Sequence, residues 1–497
     1  MWEALQRRGL HGEILEAIKS LYIHADYTMQ IQGRRGESIE STIGVKQGCP
    51  LSPTLFGLLM DGLHFDLKAK YSWAGPELNA GVGYWGQNIL DLCYADDHCF
   101  LARTPIQLYV ILDFVFDWLA SAGMEISVEK TGIMTFGGPN IPGEVWRVRG
   151  RDLQQITSYK YLGLELTEAD GVAGTFPQLH KRMLGSYHAL WHKFGNLHCG
   201  ISQQMQLQLF VGSVPQAASF GCEIWAPMRL GKTHAQQRSQ LAQGYLQLAR
   251  RLCRVRCSVC EGVLLQELGI RPLEVLWWRQ VIHFWNGLID PPQGSMIRAV
   301  LKSEILDATK HKVRNWVYGL HAGLNRLGYV FQLDASTPQR IELARVLELL
   351  AVRADDKWRD LDVCPRTCPS KGASLVKYLR WFAPPNQVPP RTYLALHLGV
   401  VKSRTVLRFR MGAAKLPIND HSRARQDRTC RCCRLGALGD ERHLLLECPA
   451  MRPVRQRFAH LFAKTDTMQM FIWQKDLFSV ACYICACMKL HATLLEE

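Results

Sequence analysis

The sequence predicts an α+β fold for its N-terminal third, followed by a mostly helical region. Residues 27–45 alternate apolar and polar side chains, and short apolar runs flank an acidic pair at residues 96–97. Beyond about residue 175, apolar side chains instead recur at three- and four-residue spacing. Alternation is typical of a strand with one buried face, and the longer spacing is typical of an amphipathic helix. The N-terminal part should therefore hold an antiparallel sheet with helices on one face.

Length and composition indicate several domains and a polyanionic partner. The chain has 497 residues, so about two to four domains are expected. Hydrophobic residues make up 47% and charged residues 21%, which is ordinary for a chain that buries real cores. Lys and Arg number 59 against 44 Asp and Glu, a formal net charge of +15. This excess favours nucleic acid as a partner, although a basic solvated surface would give the same number.

The cysteine content and the first residues predict an intracellular protein, in the nucleus or the cytoplasm, that is not secreted. The 17 cysteines are an odd number, and residues 1–15 are charged and amphipathic. A secretory signal needs an apolar core, so a disulfide framework is not expected. The longest apolar stretch, residues 477–488, is too short to cross a bilayer, so no membrane partner is predicted.

The elements around the acidic pair can be placed from spacing and turn residues. Residues 2–21 have helical spacing, interrupted at Gly9. The alternation around residues 33–36 (GRRG) predicts a hairpin in which the glycines supply the turn. Further helices are predicted over residues 52–70 and 105–122.

The region beyond residue 175 is predicted to consist of helices joined by short connections. Its clearest amphipathic segments are residues 179–194, 203–220, 236–254 and 272–288. Residues 355–391 are rich in Pro, Gly and charge, which predicts a linker.

The most informative residues are the adjacent carboxylates Asp96 and Asp97, within Tyr94-Ala95-Asp96-Asp97. Consecutive side chains of a strand point to opposite faces, so neighbouring acids reach one site only at a turn. Such oxygen ligands hold Mg²⁺ (or Mn²⁺), and two metal ions can activate an attacking hydroxyl and stabilise a leaving group. Taken alone, an acidic pair is more often a turn or a helix cap.

A polar loop before the acidic pair is a second candidate for substrate binding. Residues 44–56 read GVKQGCPLSPTLF. Gly48 permits close approach of the backbone, the prolines fix the turn, and Ser52 can cap the helix that follows. A polar loop that leads into a helix N-terminus is a reasonable cradle for a nucleotide or a template strand.

A cluster near the C-terminus predicts a zinc site. Cys430, Cys433, His443 and Cys448 have the spacing C-x2-C-x9-H-x4-C. Four such ligands close a tetrahedral Zn²⁺ site, and a short segment with little core of its own gains stability from the metal. Cys432 could replace Cys430 only with awkward geometry. Unrelated packing thiols and a surface histidine are the alternative.

A basic run overlaps this cluster. Residues 402–434 carry ten Lys or Arg against two Asp. A zinc-stapled unit beside such a run would be suited to binding phosphates.

The loop and the acidic pair, in this order, resemble the reverse transcriptase family of non-LTR (LINE-type) retrotransposons. Residues 44–56 look like the family's motif B, and residues 94–97 (YADD) look like its motif C. The zinc cluster resembles the C-terminal zinc knuckle of non-LTR retrotransposon proteins. The family's motif D resembles residues 121–131 (SAGMEISVEKT), and its motif E resembles residues 158–164 (SYKYLGL). The helical region that follows the polymerase in the family resembles residues 209–227 and 268–288.

This resemblance implies a partial right-hand polymerase palm, a helical thumb-like region and a small zinc knuckle. It implies DNA synthesis from dNTPs on an RNA template, with a DNA primer or target. Asp96 and Asp97 would then bind Mg²⁺ or Mn²⁺ and catalyse nucleotidyl transfer, and Lys130 matches a basic residue near the triphosphate. The residues implied to bind nucleotide or template are Gln47, Gly48, Ser52 and Tyr94.

A third carboxylate, on a strand before motif B, belongs to the family pattern and is not found at the expected place. The segment that follows that strand in the family, W-x-A-L-x-x-x-G, is matched by residues 2–9. We therefore expect a chain truncated after motif A that polymerises weakly or not at all. The alternative is a non-catalytic remnant that binds nucleic acid through the thumb and the zinc knuckle. The acids before motif B fall in predicted helices, loops or the hairpin: Glu3, Glu13, Glu16, Asp26, Glu37 and Glu40.

The predicted organisation has five segments. They are a partial fingers and palm region over residues 1–165, a thumb-like region over 166–290, a helical connector with a Pro-rich linker over 291–400, a basic segment with the zinc knuckle over 401–460, and a C-terminal helix over 461–497.

Overall fold

A computed structural model provides the structure of the chain. It describes residues 1–23, 25–41, 44–46, 48–72, 81–84, 87–138, 145–196, 201–230, 240–256, 259–359, 377–383, 393–420, 422–433, 435–463 and 467–496. These residues divide into two compact units. The first comprises Met1–Tyr161, Leu166–Gly171 and Pro292–Ser303; the second comprises Leu162–Glu165, Val172–Pro291 and Glu304–Glu497.

The helices appear where the apolar spacing predicts them. Those of the first 160 residues are α1 (Trp2–Arg7), α2 (Gly12–Ser20), α3 (Ser52–Ser72) and α4 (Pro105–Ser121). The later ones are α5 (Phe176–Asn196), α6 (Gln203–Ala218), α7 (Cys222–Leu230), α8 (Gln240–Cys253), α9 (Glu261–Leu268), α10 (Leu273–Ile289), α11 (Met296–Thr309), α12 (Trp316–Leu327), α13 (Leu343–Arg359), α14 (Val400–Arg410), α15 (Arg452–Arg457), α16 (Met468–Ile472) and α17 (Leu477–Glu496).

Within the ranges that the structure describes, the strands all lie in about the first third of the chain. They are β1 (Ala25–Ile31), β2 (Arg34–Ser41), β3 (Val82–Tyr84), β4 (Gln87–Ile89), β5 (Asp91–Tyr94), β6 (Asp97–Phe100), β7 (Gly132–Ile133), β8 (Val145–Val148), β9 (Arg151–Gln155), β10 (Ser158–Tyr161) and β11 (Leu164–Thr167). With the helices, they confirm the α+β class.

The single antiparallel sheet that the sequence predicts is not what the described residues form. Three antiparallel pairs, β1–β2, β3–β4 and β5–β6, are separate two-stranded ribbons. A further sheet has the order β7-β9-β8, in which β7 pairs with β9 in parallel. The strands are short, and the β1–β2 and β5–β6 ribbons are each closed by a tight turn, so hairpin pairing satisfies their backbone groups locally.

The first hairpin turns two residues earlier than its glycine spacing predicts. Ile31 pairs with Arg34, so Gln32 and Gly33 form the turn and Gly36 lies inside β2. Gln32 has φ 50° and Gly33 has φ 80°. Two consecutive positive φ values are typical of a type I′ turn, whose twist matches that of the flanking strands. One glycine is therefore enough, and the second is not part of the turn.

Three small hydrophobic cores hold the first unit together. Leu5, Leu15 and Leu55 join α1 and α2 to the start of α3. Leu63 and Leu67 of α3 pack with α4 in the second core. In the third core α4 covers the β7-β9-β8 sheet, through Leu112, Ile133, Val148 and Leu153. Helix α4 thus lies between α3 and the β7-β9-β8 sheet, because buried residues on its two sides belong to different cores.

Buried tryptophans organise the helical part of the second unit. The rings of Trp225 and Trp277 lie 5.0 Å apart at 76°, an edge-to-face arrangement. The indole of Trp277 donates to Ser219 Oγ at 2.9 Å, and that of Trp285 donates to the carbonyl of Gln339 at 2.9 Å. The indole N–H groups of Trp277 and Trp285 therefore both have partners, as buried polar groups require.

The C-terminal helix α17 is the one described helix that is long and apolar enough to cross a bilayer. It is longer than the apolar stretch noted in the sequence, because it continues to Glu496. Its residues Val480, Tyr483 and Ile484 are buried within the protein. The hydroxyl of Tyr483 also donates to the carbonyl of Leu445. This part of α17 is therefore packed within the second unit.

One prediction lies mostly outside the described residues, and another is left untested. Most of the predicted linker over 355–391 is in this category, although α13 extends to Arg359 and residues 377–381 are helical. The predicted division into five segments stays a prediction.

Candidate active site and metal centre

The two adjacent carboxylates lie at the tip of the β5–β6 hairpin. Tyr94 pairs with Asp97, so Ala95 and Asp96 form a two-residue turn. Ala95 has φ 55°, the left-handed value that such a tight turn needs at its first position. Asp96 and Asp97 are both exposed, as is Tyr94. The chain therefore presents two carboxylates and a phenol to solvent at one tip.

A buried carboxylate fixes the base of the same hairpin. Asp91, the first residue of β5, has a side chain that is 2% exposed. Its Oδ1 lies 2.6 Å from Nδ1 of His64 on helix α3. A buried carboxylate without a partner is strongly disfavoured, so this contact ties the hairpin to α3. Sequence reasoning missed this pair, because an acid at the start of a short strand gives no sign of burial.

The strands carry a thiol and an imidazole just behind the acids. Cys93 pairs with His98 across the hairpin, and its Sγ lies 3.4 Å from His98 Nε2. Burial lowers the pKa of His98, against the opposing effect of Asp91, Asp96 and Asp97. Burial, reinforced by Asp91 and Asp61, raises the pKa of the Cys93 thiol. Near neutral pH both groups are uncharged, which leaves the carboxylates as the charged groups of the tip.

Tyr161 of β10 is a further residue near the acids that the spacing did not single out. Burial raises the pKa of its phenol, and Cys99 and Asp97 add to the effect.

The loop before α3 is held by side-chain contacts at the start of that helix. Ser52 is the first residue of α3, and its hydroxyl donates to the carbonyl of Lys46 at 2.7 Å. The hydroxyl oxygen of Tyr22 lies 3.0 Å from Ser52 Oγ. Gly48, between them, has φ 83°, a conformation that favours glycine. Gln47 lies outside the described residues.

Ser52 is buried, and its hydroxyl is engaged within the protein rather than directed at the solvent. The geometry therefore assigns it to holding the loop, and the backbone around Gly48 remains the part that a ligand could approach. Tyr22, which no sequence pattern singled out, completes this anchor.

Lys130 is an exposed residue of a short 3-10 helix, Val128–Lys130, that follows α4. Its backbone carbonyl accepts a hydrogen bond from the hydroxyl of Tyr159 at 3.0 Å. The contact connects the segment after α4 to β10, and the ammonium group stays available to solvent.

In the second unit, Cys430, Cys433, His443 and Cys448 come together. Their ligand atoms all lie within 4.8 Å of one another. Cys430 Sγ is 3.8 Å from Cys448 Sγ, and Cys433 Sγ is 3.4 Å from His443 Nε2. Zn–S bonds of about 2.3 Å in a tetrahedron place two sulfurs about 3.8 Å apart, so these residues fit Zn²⁺. Cys432 is not part of the group.

Local hydrogen bonds shape the backbone around this cluster. Thr429 and Leu438 form an isolated antiparallel bridge, and the amide of Cys430 donates to the carbonyl of Ala437 at 2.8 Å. The amide of His443 donates to Asp440 Oδ1 at 2.8 Å, and that of Cys448 donates to the carbonyl of His443 at 2.7 Å. The ligands are thus held on a small hairpin and a following helical turn.

The histidine of the cluster is buried, and its Nε2 points at Cys433. His443 Nδ1 lies 3.6 Å from Glu447 Oε2, which is too far for a hydrogen bond, and it has no hydrogen-bond partner among the described residues. A metal-binding imidazole usually donates its second N–H to a carboxylate in this position. Burial and the thiols of Cys430 and Cys433 raise the pKa of Cys448 to about 12. A bound cation would offset these effects, because it stabilises the thiolate.

An exposed pair of carboxylates at the tip of a hairpin whose base is tied to a long helix defines a site suited to metal-dependent phosphoryl chemistry. A family model described as "Reverse transcriptase (RNA-dependent DNA polymerase)" matches residues 2–166. Curated relatives match the chain as well. The retrovirus-related Pol polyprotein of the R2DM retrotransposable element of Drosophila melanogaster is 27% identical over 176 residues, which cover 34% of this chain and 16% of the relative.

Two other relatives agree with it. A putative 115 kDa protein of the R1DM element of Drosophila melanogaster is 26% identical over 242 residues, covering 48% of this chain and 22% of the relative. The R2 Pol polyprotein of Nasonia vitripennis is 31% identical over 128 residues, covering 26% of this chain and 12% of the relative. Residues 2–166 therefore match the reverse transcriptase family, and the relatives that this chain resembles are proteins of the R1 and R2 retrotransposable elements. The chain spans less than a quarter of the length of each of these three relatives.

Proposed function

We propose that residues 1–165 form a partial polymerase palm for RNA-directed DNA synthesis, with the Asp96-Asp97 turn as its metal-binding centre. The observation that carries the proposal is the exposed carboxylate pair at the tip of a hairpin whose base is fixed by Asp91 and His64. The substrates would be an RNA template, a DNA primer or target, and dNTPs, in keeping with the match to the family.

Asp96 and Asp97 would hold Mg²⁺ or Mn²⁺, which supplies activation of the primer hydroxyl and stabilises the leaving pyrophosphate when bound. Gln47, the backbone at Gly48, and Tyr94 would line the nucleotide and template site. Ser52 would act by holding the loop through the Lys46 carbonyl. Lys130 would neutralise or protonate the leaving group.

We further propose that a polypeptide of these 497 residues polymerises weakly by itself. Two carboxylates hold a pair of divalent ions less firmly than three. Ahead of the loop, Glu3 lies in α1, Glu13 and Glu16 lie in α2, and Glu37 lies in β2, where it is exposed. None of these described acids has the buried strand setting of a palm carboxylate, and the buried Asp91 is engaged by His64.

The test is primer extension on an RNA template, first with Mg²⁺ and then with Mn²⁺. It compares this chain, its Asp96→Asn variant, and a chimera preceded by the aligned region of a longer relative. We expect the chimera to extend the primer and Asp96→Asn to lower its rate by at least about a hundredfold. Asp113→Asn, an exposed acid paired with Arg149 in the same unit, is the matched control and should leave the rate unchanged. Equal rates for chimera and Asp96→Asn chimera would exclude the proposed centre.

A specific observation favours a second function, the binding of nucleic acid without catalysis. Cys430, Cys433, His443 and Cys448 come together within the basic segment, and a Zn²⁺ ion bound to them would stabilise a small unit there. This unit and the thumb-like helices would hold RNA or DNA, with the palm as a scaffold. Metal analysis should find stoichiometric zinc, and gel-shift titration should show affinity that falls steeply with salt. A slope indistinguishable from zero would remove this function.

A further inference from the structure

The ten cations of the basic run do not form one surface. Arg410 is buried and forms an ion pair with Glu267. Arg428 donates to the carbonyls of Ile418 and Arg423. Arg404 and Arg408 instead contact helices that lie far earlier in the sequence. The distribution of charge therefore has to be judged from contacts and not from the sequence alone.

Arg404 of α14 is held at the start of α6. Its Nε donates to Gln203 Oε1 at 2.9 Å, and its terminal nitrogen donates to Gln206 Oε1 at 3.1 Å. Both glutamines are buried and neutral, so they orient the guanidinium without cancelling its charge. Gln203 is the first residue of the 16-residue helix α6, whose N-terminus adds positive potential there. The Nε2 of Gln203 is buried without a partner among the described residues.

Arg408, one turn further along α14, reaches the end of α8. Its Nε donates at 3.0 Å to the carbonyl of Arg254, the residue that follows α8. This bond places Arg254, which is exposed, beside Arg408 of α14. The guanidinium of Arg254 in turn lies 5.9 Å from the ring centre of Trp191 on α5. Trp191 is stacked on Tyr187 at 5.9 Å and 20°. The amide of Arg254 donates at 3.0 Å to the carbonyl of Arg251, an exposed residue of α8. Burial raises the pKa of Tyr187, and the positive charges of Arg251, Arg404 and Arg254 oppose this shift, so Arg251 lies in the same neighbourhood.

These cations have no counter-charge in the described part of the chain. The ion pairs of this unit involve other residues, and none of Arg251, Arg254, Arg404 and Arg408 takes part in one. Burial lowers the pKa of Arg404, and the neighbouring charges of Arg254 and Arg408 lower it further. Like charges held together by neutral partners favour the binding of an anion, because an anion relieves their repulsion.

We propose that Arg251, Arg254, Arg404 and Arg408, together with Trp191, form a site for the sugar-phosphate backbone of nucleic acid. We call these five residues the arginine patch. The class of ligand that we assign to the arginine patch rests on the proposed nucleic-acid function. Binding at the patch needs neither the palm carboxylates nor the zinc cluster. Guanidinium groups in fixed orientations match phosphate oxygens, and an adjacent indole offers a face for a base. The patch joins α14 to α5, α6 and α8 within one unit.

The experiment measures binding of a labelled oligouridylate RNA by fluorescence anisotropy, without Mg²⁺, over a range of about 50 to 200 mM KCl. The test variant is Arg251→Gln with Arg254→Gln, which removes two exposed charges. The control is Arg340→Gln with Arg345→Gln, which removes two exposed charges elsewhere in the same unit. We expect the test variant to bind roughly tenfold more weakly at the upper salt concentration, with a salt slope smaller by about 1.4. Equal affinity and slope for the two double variants would overturn the proposal.

Two further arms keep the result interpretable. Arg251→Lys with Arg254→Lys retains the charges and should recover most of the affinity, whereas a loss of folding would not be recovered in this way. Anionic phosphatidylserine vesicles serve as the competing polyanion. Vesicle binding that depends on the arginines, with RNA binding that does not, would overturn the proposal. Primer extension is measured separately, so a failed polymerase and a failed arginine patch give different results.

Discussion

Asp91 shows how a single buried charge can position a reactive tip that it does not belong to. Its carboxylate is buried and hydrogen-bonded to His64. Asp91 stands four residues before Ala95, where the turn that presents the acids begins. A hydrogen bond to a charged group typically contributes about 1.5–3 kcal/mol, more than most surface contacts. The hairpin is short, so without this anchor its pairing alone would hold the tip weakly.

His98 makes the stability of the first unit sensitive to acid. Its pKa in the folded chain is lowered from the usual 6.5 by burial, and its Nδ1 is buried without a partner in the part of the chain that the structure describes. The unfolded chain therefore binds a proton more readily below about pH 6.5, so this contribution to stability is present above that pH and is lost as the pH falls.

We predict that His98→Gln reduces the loss of stability on acidification. The measurement is the urea midpoint of unfolding at about pH 7.5 and about pH 5.5. His11→Gln, which alters an exposed histidine of the same unit, should keep the wild-type difference between the two midpoints. The same difference in His98→Gln as in wild type would show that this histidine is not responsible.

The acidic pair could be predicted from sequence at this scale, and its support could not. Side-chain alternation alone requires that Asp96 and Asp97 meet at a turn. The partner of Asp91 lies 27 residues earlier, on another element, and no local pattern connects the two. The four residues of the zinc cluster could be selected from the sequence, because the ligand chemistry of a single ion sets their spacing.

At the scale of elements, the β1–β2 hairpin depends on the conformation of two residues. Gly33 has φ 80°, and a Cβ added there would meet no other atom within 4 Å, so the cost of a side chain would come from the backbone alone. Gly57, inside α3, also has open space around it but has no positive φ.

We expect opposite effects from the same substitution at these two glycines. Gly33→Ala should lower the free energy of unfolding by about 1 kcal/mol, because alanine disfavours the left-handed region. Gly57→Ala should raise it by about 0.5–1 kcal/mol, because alanine favours the helix. Urea unfolding of the two variants gives both values. A loss of stability in both would mean that sterics, and not backbone preference, determine the result.

The zinc cluster is the other element whose structure depends on a small number of residues. The prediction is that chelation, or Cys433→Ser, exposes the amides of Cys430 and Cys448 to rapid hydrogen exchange. Both amides bond to carbonyls whose position depends on the ligands. Amides of helices α3 and α4, in the first unit, should keep their exchange rates. Unchanged exchange at Cys430 and Cys448 after complete removal of metal would contradict the assignment.

Across the second unit as a whole, one buried ion pair connects regions that are distant in sequence. Arg410 and Glu267 are 143 residues apart, and their side chains are 1% and 5% exposed. Tyr378 donates to the same carboxylate at 2.8 Å, and the rings of Tyr393 and Trp473 flank the guanidinium at 4.2 Å and 4.8 Å. The sequence marks Arg410 only as one member of a basic run, so its role could not be predicted.

Removing either charge should destabilise this unit strongly. Arg410→Met leaves Glu267 buried and unpaired, and we expect a loss of about 3–5 kcal/mol. The double variant with Glu267→Met should lose less than the sum of the two single variants. Tryptophan fluorescence during urea unfolding reports on this unit through Trp225, Trp277 and Trp285. Arg340→Met, which breaks an exposed pair with Asp290, should cost at most about 1 kcal/mol.

Helix α14 carries this buried arginine on one face and two members of the arginine patch on another. Each residue advances the helix by about 100°, so a single codon inserted between Arg408 and Arg410 would turn Arg410 away from Glu267. A deletion would rotate it in the opposite sense. Copies of this sequence that diverge by insertion or deletion should therefore keep the length of residues 400–410, while they accept substitutions at exposed positions such as Val401.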